Sequence, residues 1–341
     1  MAHACSQAVR LRPWPLLGIV LWLVAVEHAG AETSMPAWKQ KRRALDQCYV
    51  REEFRLFYTL TGDNALVGNQ RGDADKNGVP DRIEDIARQL LVARRLYGEV
   101  FKLRHPFESP RYTNRVKFFD VFVARLPLEL GGGRNGSAGD AIVNYQHPRD
   151  PAGGCEVLTI DLSKDMACDN LSPAHELFHE FQNGYSLFKN SWYTEGTARW
   201  AQYALHKGAG PVGKVPATVA ERATLYGLSY DAAGFWNALA EAADPIGKFT
   251  VPQDLANVRY AGTGRPVIED PRLHGIEFIK ALLEELEAAD HAVSRVKGLN
   301  PLDWPEARQR SPENNDVIWG ATERALKRLT GRGLVLRSGS S

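Results

Sequence analysis

The sequence predicts an α+β fold, in which a strand-rich first part precedes a mainly helical second part. Segments with the alternation and the β-branched or aromatic composition of strands lie before residue 170, together with one long amphipathic helix. From residue 171 onward the chain has helical spacing interrupted by turn signals. A length of 341 residues with 44% hydrophobic side chains suffices for one large domain. We therefore expect 32–170 and 171–335 to be two parts of a single domain.

The first 31 residues have the pattern of a signal peptide. Arg10 and Arg12 precede the apolar run "PLLGIVLWLVAV", and the small residues 29–31 follow it. The run is shorter than the roughly 18 to 20 apolar residues that a membrane span needs. We expect cleavage after Ala31 and an exported protein, secreted or periplasmic, with no stable membrane span. An uncleaved N-terminal anchor is the alternative.

The charge of the chain is balanced. Lys and Arg number 42, Asp and Glu number 41, and the expected cleavage would remove two arginines and one glutamate, which leaves a neutral chain. Without a basic field, nucleic acid and anionic lipid are not expected partners.

Three cysteines remain after the expected cleavage: Cys48, Cys155 and Cys168. An exported protein can keep a disulfide, and we expect one between Cys155 and Cys168, which flank one strand and loop. Cys48 is left over in this arrangement. It could instead pair with either of the other two.

The first part contains three predicted strands and one predicted helix. "EEFRLFYTL" alternates so that one face carries Phe54, Leu56, Tyr58 and Leu60. "DRIEDIARQLLVARRLYGEVF", residues 81–101, has helical spacing. Val116–Ala124 and Val157–Leu162 have strand composition.

A glycine-rich segment, "GGGRNGSAG", spans residues 131–139 between the last two predicted strands. A phosphate-binding loop would need the order GxxxxGK[ST] between a strand and a helix, and the segment lacks it. We expect a mobile loop beside a cleft.

The second part begins with a helix that carries two histidines, in "SPAHELFHEFQNGY". Ser172 is a good N-cap and Pro173 suits the first helical position. Four side chains at core-facing spacing are Ala174, Leu177, Phe178 and Phe181. Further helices are expected in "SYDAAGFWNALAEAA", "HGIEFIKALLEELEAA" and "NNDVIWGATERALKRL".

His175 and His179 lie four residues apart on this helix, so their side chains project from one face. Two imidazoles at that spacing can bind one tetrahedral zinc ion. Glu176 is placed beside them, where a carboxylate can accept a proton from a zinc-activated water. A pair of structural histidines is the alternative, and a third ligand downstream would decide against it.

Glu195 is the expected third ligand. It lies sixteen residues after His179, which leaves room for the first helix to end, turn and lead into a second helix, "NSWYTEGTARWAQYALH". The small Ala198 and Ala201 would let the two helices approach closely. A metzincin site is excluded, because Gln182 and Tyr185 occupy the positions of its glycine and third histidine. The alternative role for Glu195 is an acid in the first turn of a helix.

These motifs resemble those of gluzincin-type zinc metallopeptidases. The matching segments are Ala174–Gln182 and Trp192–Trp200, and an upstream Asn-Gly-x-Pro-Asp loop is similar to that of some secreted bacterial metalloproteases. The resemblance implies a zincin-like fold: a small mixed sheet with a long helix, a histidine helix and a mainly helical C-terminal half. It also implies an edge strand that binds extended substrate beside the cleft.

The resemblance further implies a Tyr or His in the helical half that stabilises the oxyanion of the transition state. Tyr230 is the preferred candidate for this catalytic role. The others are Tyr226, Tyr193 and His274.

"DADKNGVPDRIE", residues 73–84, fits a twelve-residue calcium loop at every ligand position. The ligands would be Asp73, Asp75, Asn77, the Val79 carbonyl, Asp81 through water, and Glu84. Oxygen donors select calcium over zinc. The expected role is structural, and a plain Asp/Asn/Gly turn is the alternative.

Together these features predict an exported zinc-dependent endopeptidase with a structural calcium ion, acting on a protein or peptide substrate, in which 32–170 and 171–335 form one catalytic domain. A calcium-stabilised surface or adhesion protein with a structural or inactive zinc site is one alternative. A zinc hydrolase of amides other than peptides is another. The oligomeric state is left open.

Overall fold

The computed structural model of the protein describes residues 37–126, 135–144, 147, 149, 154–205, 208 and 210–334. The chain divides into units 1–35 and 36–341, and all of these residues belong to the second. The expected signal peptide, residues 1–31, lies outside the described residues. None of the helices in the described ranges has the length and apolar character needed to cross a membrane.

Five strands form one mixed sheet in the order β1-β2-β3-β5-β4. β2 pairs parallel with β3, and β3 with β5, whereas β1 and β4 join the two edges as antiparallel strands. The strands are β1 (Gln47–Arg51), β2 (Phe54–Tyr58), β3 (Val116–Ala124), β4 (Gly136–Asn144) and β5 (Glu156–Ser163). The predicted α+β class is confirmed.

Two strands differ from the prediction. β1 was not expected, because its sequence "QCYVR" has little hydrophobic alternation and obtains its pairing from β2. β4 begins at Gly136, so the expectation of a loop is wrong for residues 136–139. Gly136 and Gly139 pair in register with β5. This pairing depends on tertiary structure, so the local composition does not predict it.

β2 is buried on both faces. Phe54, Leu56 and Tyr58 lie in the main core, as the alternation predicts, while Phe57 packs on the opposite face with Phe122. Arg55 lies between these residues and forms an ion pair with Asp120 of β3, with Nε 2.7 Å from Oδ1. A central strand of a parallel pair is covered on both sides, so its charged residue has to be paired within the sheet.

The helices are α1 (Ala37–Arg43), α2 (Asp81–Arg95), α3 (Ser172–Tyr185), α4 (Ser191–Gln202), α5 (Val219–Tyr226), α6 (Ala233–Ala243), α7 (Gln253–Ala256), α8 (Ile276–Lys297), α9 (Glu306–Gln309) and α10 (Asn314–Thr330). Two of them, α2 and α3, pack against this sheet, and later helices pack on α3 and on one another. The three helices expected after residue 228 are present as α6, α8 and α10. The helix expected over 81–101 is α-helical only to Arg95 and continues as a π turn, Leu96–Val100.

The expected disulfide between Cys155 and Cys168 is wrong, because Cys168 is an exposed free thiol. β5 runs between the two cysteines, and the eight steps from Cys155 to Ser163 span about 26 Å at about 3.3 Å per residue. The five residues after β5 can return at most about 17 Å. The two Cα atoms therefore stay beyond the roughly 7 Å limit for a disulfide.

Candidate metal centre

α3 and α4 carry the predicted ligands and pack against each other after the connection 186–190. The four side chains predicted to face the core from α3, and both small alanines of α4, are fully buried. Ser172 is the first residue of α3 and not its N-cap, so that prediction is wrong by one position. The Asn170 side chain takes over this role, because its Oδ1 accepts the backbone N–H of Ser172 at 2.9 Å.

His175, His179 and Glu195 converge. Glu195 Oε2 lies 3.1 Å from His175 Nε2 and 3.6 Å from His179 Nε2. Ligand atoms of the three residues lie within 4.8 Å of one another, and within the described part of the chain they are the only such group of three His, Cys, Asp or Glu residues. The structure therefore brings the predicted ligand set together.

The spacing of these donor atoms fits zinc. Bonds of about 2.0 to 2.1 Å at tetrahedral angles place two ligand atoms about 3.3 Å apart. The distances from Glu195 Oε2 to the two Nε2 atoms, 3.1 and 3.6 Å, lie on either side of that value. Two imidazole nitrogens and one carboxylate are also a donor set that catalytic zinc sites use.

Two glutamines fix the histidine rings, and sequence reasoning did not assign them this role. Gln182 Nε2 donates to Thr194 O at 2.9 Å and to Thr197 Oγ1 at 2.6 Å, so its Oε1 faces His179 Nδ1, 2.7 Å away. Gln202 Oε1 lies 3.0 Å from His175 Nδ1. An oxygen acceptor at Nδ1 keeps the proton there and leaves the Nε2 lone pair for a metal.

The charges at this centre are strongly coupled. Burial raises the pKa of Glu195, but the two histidines outweigh this effect and hold it well below its ordinary value. Burial lowers the pKa of His179, but the charge and hydrogen bond of Glu195 outweigh it and raise the pKa to about 9. Glu195 therefore stays a carboxylate, the form that binds metals, whereas His179 has to lose a proton when a metal binds.

Glu176 is buried beside the two histidines and packs against the edge strand. A Cβ atom at Gly136 would lie 2.5 Å from Glu176 Oε1, so only glycine leaves room for this carboxyl group. Burial raises the pKa of Glu176, and the nearby His179 and His175 offset part of that rise. A carboxyl with a raised pKa is suited to accept and release a proton near neutral pH.

Tyr230 is the one of the four candidate oxyanion donors that lies at this centre. Its ring centroid is 5.7 Å from that of His175, and its side chain contacts Glu195. Burial and the adjacent Glu195 and Glu176 raise the pKa of Tyr230, so its hydroxyl keeps its proton at neutral pH.

The other three candidates lie away from this centre. The Tyr226 hydroxyl donates to Asp316 at 3.0 Å, Tyr193 is fully buried, and His274 Nδ1 lies 2.7 Å from Asp244 O. None of the three lines the cavities that open at the candidate centre.

Two cavities open at the centre, and Gly136, Glu176 and Tyr230 line both. The one on the His175 side has a volume of about 670 Å³. The one on the His179 side has a volume of about 300 Å³. The edge strand β4 contributes to both walls, so the cleft runs past the candidate ligands in two directions.

The predicted calcium loop leads into α2. Asp73 accepts the backbone N–H groups of Asn77 at 3.1 Å and Gly78 at 2.9 Å, and Asn77 Nδ2 donates to Asp75 at 3.0 Å and Glu84 at 2.9 Å. The other two predicted ligands are also placed: Asp81 begins α2, and the Val79 N–H donates to Asn77 Oδ1 at 2.8 Å. Gly78 has φ of +88°, as the sharp turn requires. The carboxylate oxygens of this loop lie farther from one another than the ligand atoms of the His/His/Glu group do.

Comparison of the chain with protein-family models, curated proteins and solved structures found no match in any of the three. The motifs and the geometry of this centre therefore carry the functional interpretation.

Proposed function

We propose that the protein is an exported zinc-dependent endopeptidase that uses Glu176 as its general base. The observation that supports this most is the position of Glu176, buried against Gly136 beside two histidines and a glutamate with zinc-ligand spacing. A structural zinc site has no need of such a carboxyl. The pattern of residues 1–31 supports export.

His175, His179 and Glu195 would hold the zinc ion, which supplies Lewis acidity and lowers the pKa of a water molecule to about 7. Glu176 accepts a proton from the attacking water as its oxygen bonds to the peptide carbonyl carbon. When the C–N bond breaks, Glu176 delivers this proton to the leaving amine nitrogen. The Tyr230 hydroxyl donates a hydrogen bond to the carbonyl oxygen as negative charge develops on it.

The shape of the cleft supports cleavage within a chain. Cavities on both the His175 and the His179 side can hold substrate on both sides of the scissile bond. β4 is an edge strand, so one row of its backbone groups is available to pair with an extended peptide.

We also propose that residues 73–84 bind calcium. The donors are all oxygens at calcium-loop spacing, and the loop sits directly before α2. An ion there would stabilise the start of that helix.

Digestion of labelled casein tests the peptidase function. The mature protein should cut casein, and Glu176→Gln should retain one zinc ion per chain while losing activity by at least about a thousandfold, as expected for removal of the general base together with its charge. If the wild type binds zinc and cuts no peptide, the alternative of an inactive or structural zinc site is favoured.

A further inference from the structure

We propose that Arg199 recognises a carboxylate of the substrate, and that the enzyme therefore prefers peptides with an acidic side chain or a free C-terminus on one side of the cut. The inference rests on the proposed peptidase function and specifies its substrate class. Arg199 lines the larger cavity together with His175, Glu176 and Tyr230.

Arg199 is held close to the metal ligands. It lies one helical turn after Glu195 on α4, so both side chains project from the same face of that helix. The cavity that it lines is also lined by Tyr230, whose ring centroid lies 5.7 Å from that of His175. A group bound to Arg199 would thus lie beside the reacting bond and not at a remote surface.

The guanidinium of Arg199 has no partner among the residues that the structure describes: no ion pair, hydrogen bond or aromatic stacking contact involves it. This distinguishes it from the other arginine of the same cavity. Arg265 binds Asp169 at 2.5 Å and also binds Glu269, so one cation occupies both carboxylates at that end of the cavity.

The remaining acidic groups near Arg199 are also committed. Glu195 contacts His175 and His179, and the Glu176 carboxyl group packs against Gly136 of β4. A half-buried guanidinium without a counter-ion favours an incoming carboxylate, which it can bind through two parallel N–H···O bonds. The cavity of about 670 Å³ has room for the side chain that carries it.

Among the described residues that line the cavity on the His179 side, no cation is comparably unpaired. Lys189 binds Asp140 at 2.8 Å and Glu306 at 2.9 Å, and Arg310 binds Glu306 at 2.6 Å. The preference should therefore be confined to one side of the scissile bond.

Peptide binding to the Glu176→Gln variant tests this without requiring turnover. Fluorescence anisotropy measures the affinity of the zinc-loaded protein for matched peptides based on a sequence cut in casein. The peptides carry Glu or Gln at each of the three positions on either side of the cut bond. Each is made with a free and with an amidated C-terminus. We expect the Glu or free-acid peptide to bind about 10- to 100-fold more tightly at one position, in line with the worth of a charge-assisted pair. The two arms distinguish a side-chain from a terminal carboxylate.

Arg199→Gln in the same background should abolish the discrimination, whereas Arg310→Gln, an arginine on the other side of the cleft, should preserve it. The inference is overturned if Glu and Gln peptides bind equally, or if the discrimination survives Arg199→Gln. In either case, casein cleavage by the wild type would still support the proposed function. Absence of any cleavage that depends on Glu176 overturns the proposed function separately.

Discussion

Replacing Gly136 with alanine should disable the proposed general base and leave the proposed metal ligands in place. The added Cβ would lie 2.5, 2.6 and 2.8 Å from Oε1, Cγ and Cδ of Glu176. Ordinary contact needs about 3.4 Å, so the carboxyl group has to retreat by about 1 Å. A misplacement of about 1 Å at a reacting group costs on the order of a hundredfold in rate. We expect kcat to fall by that factor, equivalent to about 2.7 kcal/mol in the barrier.

The assay measures kcat and KM on one peptide identified from casein cleavage, with zinc content determined by mass spectrometry on the same samples. Gly139→Ala is the matched control, because it lies on the same strand and its Cβ would lie 2.8 Å from Thr159 Oγ1, away from Glu176. We expect Gly139→Ala to change kcat less than about threefold, and both variants to retain one zinc ion.

Three results would refute this reasoning. A kcat of Gly136→Ala near the wild-type value would mean that β4 moves aside and that Gly136 does not position the base. Loss of zinc from Gly136→Ala would mean that the substitution disturbs the metal ligands and not only Glu176. An equal loss of rate in Gly139→Ala would assign the effect to the strand as a whole.

Three further predictions concern the ligands, the calcium loop and a buried acid. Gln182→Leu removes the acceptor at His179 Nδ1 and should weaken zinc affinity about 10- to 100-fold, measured by competition with a fluorescent chelator; unchanged affinity would show that Gln182 does not hold the ring. Calcium at a hundred times its dissociation constant should raise the free energy of unfolding of the wild type by about 2.7 kcal/mol, measured in urea with zinc held constant. Glu84→Gln should lose most of that gain, whereas the control variant Asp63→Asn should keep it. Equal stability with calcium and with EGTA would refute the calcium site. Burial raises the pKa of Asp290 to about 6, although Leu187 N–H and the Ser294 hydroxyl bind it. The folded state then keeps a proton that the unfolded state releases between about pH 4 and 6, so this group's contribution to stability falls as pH rises through that window. Asp290→Asn should therefore gain about 3 kcal/mol relative to the wild type between pH 4 and 7, and a pH-independent difference would contradict the assignment.

The sequence predicts those parts of the site that lie on one helix or fit one motif. His175, Glu176 and His179 are fixed relative to each other by helical spacing, and Glu195 follows because a short connection forces two neighbouring helices together. Gln182 could have been assigned as well, since it lies three residues after His179 on the same helix.

Features that depend on tertiary pairing were not predictable in the same way. β4 is glycine-rich and has weak strand propensity, and its pairing with β5 is what brings Gly136 against Glu176. Arg199 has no partner among the described residues partly because Arg265 pairs with Asp169 and Glu269 in the same cavity. Arg265 lies more than sixty residues after Arg199 in the chain, so the sequence does not show this arrangement. The Cys155–Cys168 expectation failed because sequence proximity does not show that an extended strand separates the two residues.

The central claim is that His175, His179 and Glu195 together bind one zinc ion. The most direct measurement is the zinc content of the purified mature protein, with Glu176→Gln and Glu195→Ala alongside. We predict one zinc ion per chain in the wild type and in Glu176→Gln, and a strongly reduced content in Glu195→Ala after dialysis against a weak chelator. A wild type without zinc, or a Glu195→Ala variant that keeps its full complement, would contradict the claim.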